Sequence, residues 1–262
     1  RQWEFIWESL NSLKIDLAKR NLHLNILSGD ALEVFQTLHQ KYSFTEVISE
    51  QETGINWTFN RDKKLKALFN NLNVNWVEYP YYGVKRGNHN RDHWARSIQQ
   101  ILKKPLINNE KYIDQSEILD FDEHEIPINF YDKTPCPFRQ KGGSHQAHDL
   151  LETFLESRGE NYQKEMSSPV TAEYSCSRLS PHFAHGTLSL RQAFQLAEKK
   201  RFEIQSTNKV FGKSINAFLS RLHWRSHFIQ KLEDEPSIEL QSFIPLYDDI
   251  RDKDEEKLHS WI

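Results

Sequence analysis

The stretch Ser175 to Arg191, "SCSRLSPHFAHGTLSLR", brings serines, two arginines, a proline and a glycine close together. Ser180-Pro181 reads as a helix start. A serine there can accept from the free N–H groups of the first turn, and proline at the first helical position lacks an N–H that would be unbonded anyway. Free N–H groups and the positive end of the helix dipole favour anions, so Ser175, Ser177 and Ser180 would form a cradle suited to phosphate. The same residues also fit an ordinary capped surface helix. Further on, in "INAFLSRLHWRSHFIQKLEDEP", Arg221, Trp224, Arg225 and Phe228 recur at i, i+3, i+4 and i+7. That spacing puts them on one helical face, where arginines alternate with aromatics. Such a face suits a phosphate or carboxylate together with a flat ring. Arginines snorkelling over half-buried aromatics would give the same pattern.

Those residues must be held by a scaffold. A chain of 262 residues can bury a sizeable core in one large or two smaller domains. Its net charge of -3 gives no global field for nucleic acid or membrane, so an anion site must be local. Lys199, Lys200, Arg201, Lys209 and Lys213, with Arg221 and Arg225, make one such local basic run, which also fits a plain solvated face. Cys136 and Cys176 have no CxxC or metal-ligand spacing, which points to free thiols in a reducing compartment. With no bilayer-length apolar run and no leader pattern, the expectation is a cytoplasmic protein, monomeric and away from membranes.

Three textures follow one another. In residues 1–80, Trp3, Ile6, Leu10, Leu13 and Leu17 recur at helical spacing, "LHLNILS" alternates as a strand, and Gly29-Asp30 introduces a helix through Val34 and Leu38. "FTEVIS" is the next strand, a helix through Leu65, Leu68 and Leu72 follows, and "VNWVEY" is a further strand. Helices alternating with short strands predict a parallel α/β sheet. Residues 81–141 form a polar, proline-punctuated connector with one short helix around Arg91 to Leu102. Residues 142–262 are helical, ending in a long helix from about Lys209 to Leu232 whose core stripe is Ile215, Phe218, Leu219, Leu222 and Ile229. The chain opens on a helix, without the strand that should precede it and without an initiator methionine, and is read as an interior fragment.

Taken in order, "GGSHQAHDLLETFLESRGENY", "SCSRLSPHFAHGTLSLRQAF" and "FLSRLHWRSHFIQKLEDEP" resemble the cryptochrome and DNA photolyase family. "FIWESLNSLKIDLAKRNLHLNILSGDALEVFQTL" is similar to that family's antenna domain, and "YYGVKRGNHNRDHWARSIQQIL" to a bacterial cryptochrome-like branch. The resemblance implies a Rossmann-like α/β antenna domain over 1–80 and an all-α FAD-binding domain over 142–262, each incomplete. It implies FAD, a second antenna chromophore of unspecified identity, and DNA containing pyrimidine dimers as partner.

The resemblance also distributes roles. Cys176-Ser177-Arg178-Leu179-Ser180 stands where the family's Thr-Ser-x-Leu-Ser turn wraps the FAD phosphates, with cysteine in place of threonine. Tyr162 looks like the tyrosine on the phosphate side, and Arg225 like the arginine that reaches the cofactor. Trp224 resembles the catalytic-site tryptophan lining the cavity for a flipped dimer; Phe218 takes an aromatic position there, and Phe228 lies on the same face. Arg221 stands where the repair enzymes carry an acid that bonds the lesion, which weighs against repair of the usual cyclobutane dimer. The implied activity is that of a deoxyribodipyrimidine photolyase, a carbon–carbon lyase driven by blue light; the alternative is a cryptochrome photoreceptor without repair. The first domain alone would also allow a nucleotide-binding α/β protein without flavin.

Overall fold

The structure is a computed structural model that describes residues 2–87, 92–107, 136–248, 250 and 252–261. It has a small parallel sheet among many helices, the α/β-plus-helical class expected from the sequence. Two compact units divide the chain, each built from separated segments: Arg1–Tyr42 with His93–Arg225, and Ser43–Asp92 with Ser226–Ile262.

The second unit holds the sheet. Strand β1 (Glu46–Glu50) pairs in parallel with β2 (Asn75–Tyr79), with Glu46 opposite Asn75 and Glu50 opposite Tyr79. A parallel pair needs a crossover, here a helix, Asn56–Asn71, designated α3 in chain order after the two helices of the first unit. That helix stops in a left-handed turn at Asn73 (φ 56°), where the Val74 and Asn73 N–H groups return to the carbonyls of Phe69 and Asn70. Phe69 is buried, edge-on to Trp76 at 5.3 Å. The side-chain amide of Gln230 clasps Lys85 at both ends, accepting from its N–H (2.8 Å) and donating to its carbonyl (3.0 Å). Helix α11 (Glu255–Trp261) closes the described chain.

One expected strand is absent. "LHLNILS" (residues 22–28) is irregular and takes no ladder partner among the described residues. Alternation supplies two faces but no partner backbone, and the Leu22 N–H is drawn back to the Leu17 carbonyl (3.0 Å) by the left-handed turn at Asn21.

The first unit contains α1 (Gln2–Ala18), α2 (Ala31–Tyr42), α4 (Trp94–Leu102), α5 (Ser144–Thr153), α6 (Tyr162–Glu165), α7 (Ala172–Ser175), α8 (Ser180–Ala184) and α9 (Leu190–Ile204). The long helix α10 (Lys209–Asp234) starts in it and runs into the second. Helix α1 packs on the Gly142-Gly143 turn that opens α5. Arg139 pairs with Glu4 (3.0 Å) and Glu8 (2.6 Å), Glu8 accepts from the Gly142 N–H (2.8 Å), and Ser9 Oγ accepts from the Gly143 N–H (3.1 Å). The Arg139 guanidinium holds the Glu8 carboxyl below its ordinary range. Helix α4 docks on α9 through Gln195, which donates to the carbonyls of Leu102 (2.9 Å) and Lys104 (2.8 Å). The expected helix at 91–102 is therefore present as α4; Arg91 and most of the 81–141 connector lie outside the described residues.

His182 of α8 is fully buried, edge-on to Phe5 at 5.0 Å and hydrogen-bonded through Nδ1 to Thr187 Oγ1 at 2.8 Å. Its Nε2 has no hydrogen-bond partner among the described residues, so a proton there would stay unsatisfied. Burial, with His185 adding to it, pulls the imidazole down from 6.5 to about 4. The unfolded chain therefore binds the extra proton between those values. Stability from the neutral ring is complete above pH 6.5 and is lost as pH falls towards 4, by about 3 kcal/mol in all. Urea unfolding from pH 7 to pH 4 is expected to show this slope in the wild type and to lose it in His182→Gln; an unchanged slope would count against it.

Candidate functional site

The Cys176–Ser180 turn is shaped by its backbone. Cys176 is extended, Arg178 is left-handed (φ 62°), and Leu179, fully buried, pins the turn to the core before α8 begins. The serine-capped helix start expected here does not form. Leu179 occupies the cap position, Ser180 is the first helical residue, and no side chain caps the helix. The backbone explains the difference: the Phe183 N–H returns to the Leu179 carbonyl (3.0 Å), so the helix begins one residue earlier and Ser180 lies inside its first turn. The Ser175 hydroxyl is also turned away, donating to the Glu165 carboxylate. The three-serine cradle is thus reduced to Ser177, half-buried, and Ser180, exposed.

Arginine holds the turn instead. A π-helical turn, Phe154–Arg158, follows α5 and closes at Gly159, where an added Cβ would lie 2.7 Å from the Phe154 ring and carbonyl. From it the Arg158 guanidinium donates to the carbonyls of Leu150 (2.9 Å), Cys176, Tyr174 (3.4 Å) and Ser177 (3.4 Å). All these acceptors are neutral. Among the described residues no carboxylate pairs with Arg158 or Arg178, and the Arg178 side chain makes no hydrogen bond. Burial, then the neighbouring Arg178 charge, pulls Arg158 below its ordinary value. Burial pushes the Cys176 thiol up, against the pull of both arginines. The turn therefore carries two positive charges without internal neutralisation, which favours an anion.

Tyr162 opens α6 beside this turn, buried edge-on against Phe154 (5.5 Å) and Phe218 (6.2 Å). Burial raises its phenol, and Arg221 opposes the rise. Phe218 is buried in this aromatic cluster, 4.8 Å from Phe154, and belongs to the core stripe of α10 with Ile215, Leu219 and Leu222. Arg221 stacks over the Trp224 ring at 3.9 Å, and its Nη2 lies 4.0 Å from Met166 Sδ. Trp224 remains 48% exposed. Arg225 donates from Nη2 to the Phe183 carbonyl at 3.0 Å, tying α10 to α8. Phe228 lies one turn further on α10, within the second unit, exposed and edge-on to His227 at 5.5 Å.

Tyr162, Cys176, Ser177, Arg178, Leu179, Ser180, Phe218, Arg221, Trp224 and Arg225 thus all fall in the first unit. Leu179 can offer a ligand only its main chain. Arg158 had no motif to announce it; the one signal is a basic residue before a glycine, in "ESRGENY". The basic run on α9 is not a uniform cationic face. Lys199 and Lys200 line an open cleft with Glu152, Glu156 and Glu203, and Arg201 lies 3.8 Å from Glu198. That cleft, and a second one between α1 and α5, contain none of the arginine cluster.

A small parallel sheet together with a largely helical part defines the fold class, and the comparisons agree with that fold. Residues 1–80 match the family described as DNA photolyase. A deoxyribodipyrimidine photo-lyase of Halobacterium salinarum is 29% identical over 101 residues, 38% of this chain and 20% of that protein. Among solved structures, the Synechocystis sp. PCC6803 cryptochrome is 18% identical, over 98% of this chain and 56% of that one, with a TM-score of 0.77. A bacterial class III photolyase from Agrobacterium tumefaciens is 16% identical over 99% and 56%, with a TM-score of 0.69. An archaeal photolyase from Sulfolobus tokodaii, solved with two FAD molecules, is 20% identical over 99% and 55%, with a TM-score of 0.63. Residues 1–80 carry the sequence match to the DNA photolyase family, and the solved structures show that the chain as a whole shares their fold. It spans about half the length of those structures. Among the described residues no helix is long and apolar enough to cross a membrane.

Proposed function

We propose that this chain supplies the phosphate side of an FAD site and the nucleic-acid face of a light-driven enzyme that splits pyrimidine dimers. The carrying observation is the pair of arginines at the Cys176–Ser180 turn, Arg158 and Arg178, with no carboxylate partner among the described residues. The donor set fits a diphosphate: the free Arg178 fork, the Ser177 and Ser180 hydroxyls, and the main chain of the turn. Arg158 fixes the turn's shape and adds its charge without leaving its carbonyls. When bound, the reduced, photoexcited cofactor supplies one electron to the dimer and takes it back once the ring has opened. The chain's own residues bind and orient. Arg225 steadies α8 against α10 while keeping a charge beside the turn, and Trp224 offers a stacking surface to an extruded base, an interaction worth about 1–3 kcal/mol.

The test has two arms. Flavin retained through gel filtration is expected for the wild type and is expected to fall at least tenfold in Arg178→Glu, which reverses the charge without touching the core. Blue light with reduced flavin is then expected to remove dimers from irradiated DNA. A photoreceptor without repair would pass the first arm and fail the second; equal flavin retention by wild type and Arg178→Glu would sink the cofactor assignment.

A further inference from the structure

We infer that Arg221 is a specificity-determining residue that reads a backbone phosphate beside the base taken by Trp224. The guanidinium sits over the indole, its Cζ 3.9 Å from the ring centroid, so the two side chains form one amphipathic surface, a charge beside a ring that is nearly half exposed. Behind it are only weak acceptors: Met166 Sδ at 4.0 Å and the neutral, buried Tyr162 phenol. Among the described residues no carboxylate pairs with it. An arginine has five N–H donors, and among the described residues almost none of them is satisfied, so the outward edge is left for an anionic oxygen. A ring and an anion a few ångströms apart is the chemistry of one nucleotide in a strand, and the phosphate contact fixes register while the ring contact takes the base. Stacking also fixes the direction of the fork. A lysine could keep the charge at this position but not the planar, edge-on donation.

This inference rests on the reading of the Trp224 face as the nucleic-acid side, and its test is independent of flavin. The probes are two short duplexes with a central thymine–thymine mismatch, whose bases are easily extruded. They are identical except that one carries a neutral methylphosphonate in place of the phosphate between two adjacent thymidines at that site. Binding is measured in the dark by fluorescence anisotropy on the whole chain. The wild type is expected to prefer the charged duplex about tenfold. Arg221→Gln is expected to bind both alike, with its salt slope reduced by about one unit, and Arg221→Lys to keep the slope while recovering only part of the preference. Circular dichroism confirms that both variants fold. A tenfold preference retained by Arg221→Gln, no preference in the wild type, or no binding to either duplex would each overturn the inference. Flavin retention, scored separately as above, fails or holds without bearing on this comparison.

Discussion

Replacing Arg158 by methionine is expected to lower the free energy of unfolding by about 3–5 kcal/mol. Its guanidinium satisfies the Leu150 and Cys176 carbonyls and lies within 3.4 Å of two more, those of Tyr174 and Ser177. Hydrogen bonds to a charged group are worth roughly 1.5–3 kcal/mol each, and the abandoned carbonyls would keep their desolvation cost. Methionine keeps an unbranched apolar stem about as far as Nε and removes the guanidinium, whose Cζ lies 5.7 Å from the Phe154 ring centroid, so the loss falls mainly on the polar head. Lysine is expected to recover less than half, because one ammonium cannot reach carbonyls on both α5 and the turn. Guanidinium unfolding of the three proteins decides the matter: a methionine variant within 1 kcal/mol of wild type would mean that the turn is held by Leu179 alone. Arg158→Met should also lose flavin, because the turn then has one charge and no fixed shape.

Gly142→Ala is expected to cost at least about 3 kcal/mol, at the upper end of what overpacking does. A Cβ at this position would lie 2.0 Å from the Phe5 carbonyl oxygen and 2.5 Å from Ser9 Oγ. The first is backbone and cannot swing aside, so α1 must move off the turn and take with it the bonds of Glu8 and Ser9 to the glycine N–H groups. Gly212 gives the opposite sign. It lies within α10 and a Cβ there meets nothing within 4 Å, so Gly212→Ala should gain roughly 0.5–1 kcal/mol from helix propensity. Thermal melts of both variants test the contrast; similar shifts in the same direction would refute the claim that close approach, rather than conformational freedom, requires Gly142.

What was legible in the sequence was what periodicity carries. Ile215, Phe218, Leu219 and Leu222 announced the buried face of α10, and "FTEVIS" and "VNWVEY" announced β1 and β2. Pairing was less legible, because alternation in "LHLNILS" says which side chains share a face and nothing about a ladder partner. At the site, the residue types of the turn could be read but not their geometry. Ser180-Pro181 suggests a serine cap, and the structure shifts the cap to Leu179 because the first helical hydrogen bond returns to the Leu179 carbonyl, a backbone choice that side-chain identity does not reveal. The role of Arg158 is not legible in the sequence, because its partners are carbonyls, which leave no trace in side-chain identity. The inclusion of α1 in the same unit as α5 and α8 depends on Phe5, Glu8 and Ser9, whose partners lie more than 130 residues away.

The π-helical turn at Phe154–Arg158 makes this part of the chain sensitive to length rather than to composition. Such a turn holds one residue more than regular helix needs, so a single deletion between Phe154 and Gly159 could be absorbed with every hydrogen bond of the helix re-formed. Each residue of a helix advances the chain by about 100° of rotation, and the deletion would swing position 158 away from the Cys176–Ser180 turn by that amount. In descent, a lineage could discard the proposed anion site in one genetic step while keeping a well-formed helix, and comparison by substitution alone would miss it. Gap placement around "FLESRG" is therefore the character by which relatives that keep the site can be sorted from those that have lost it.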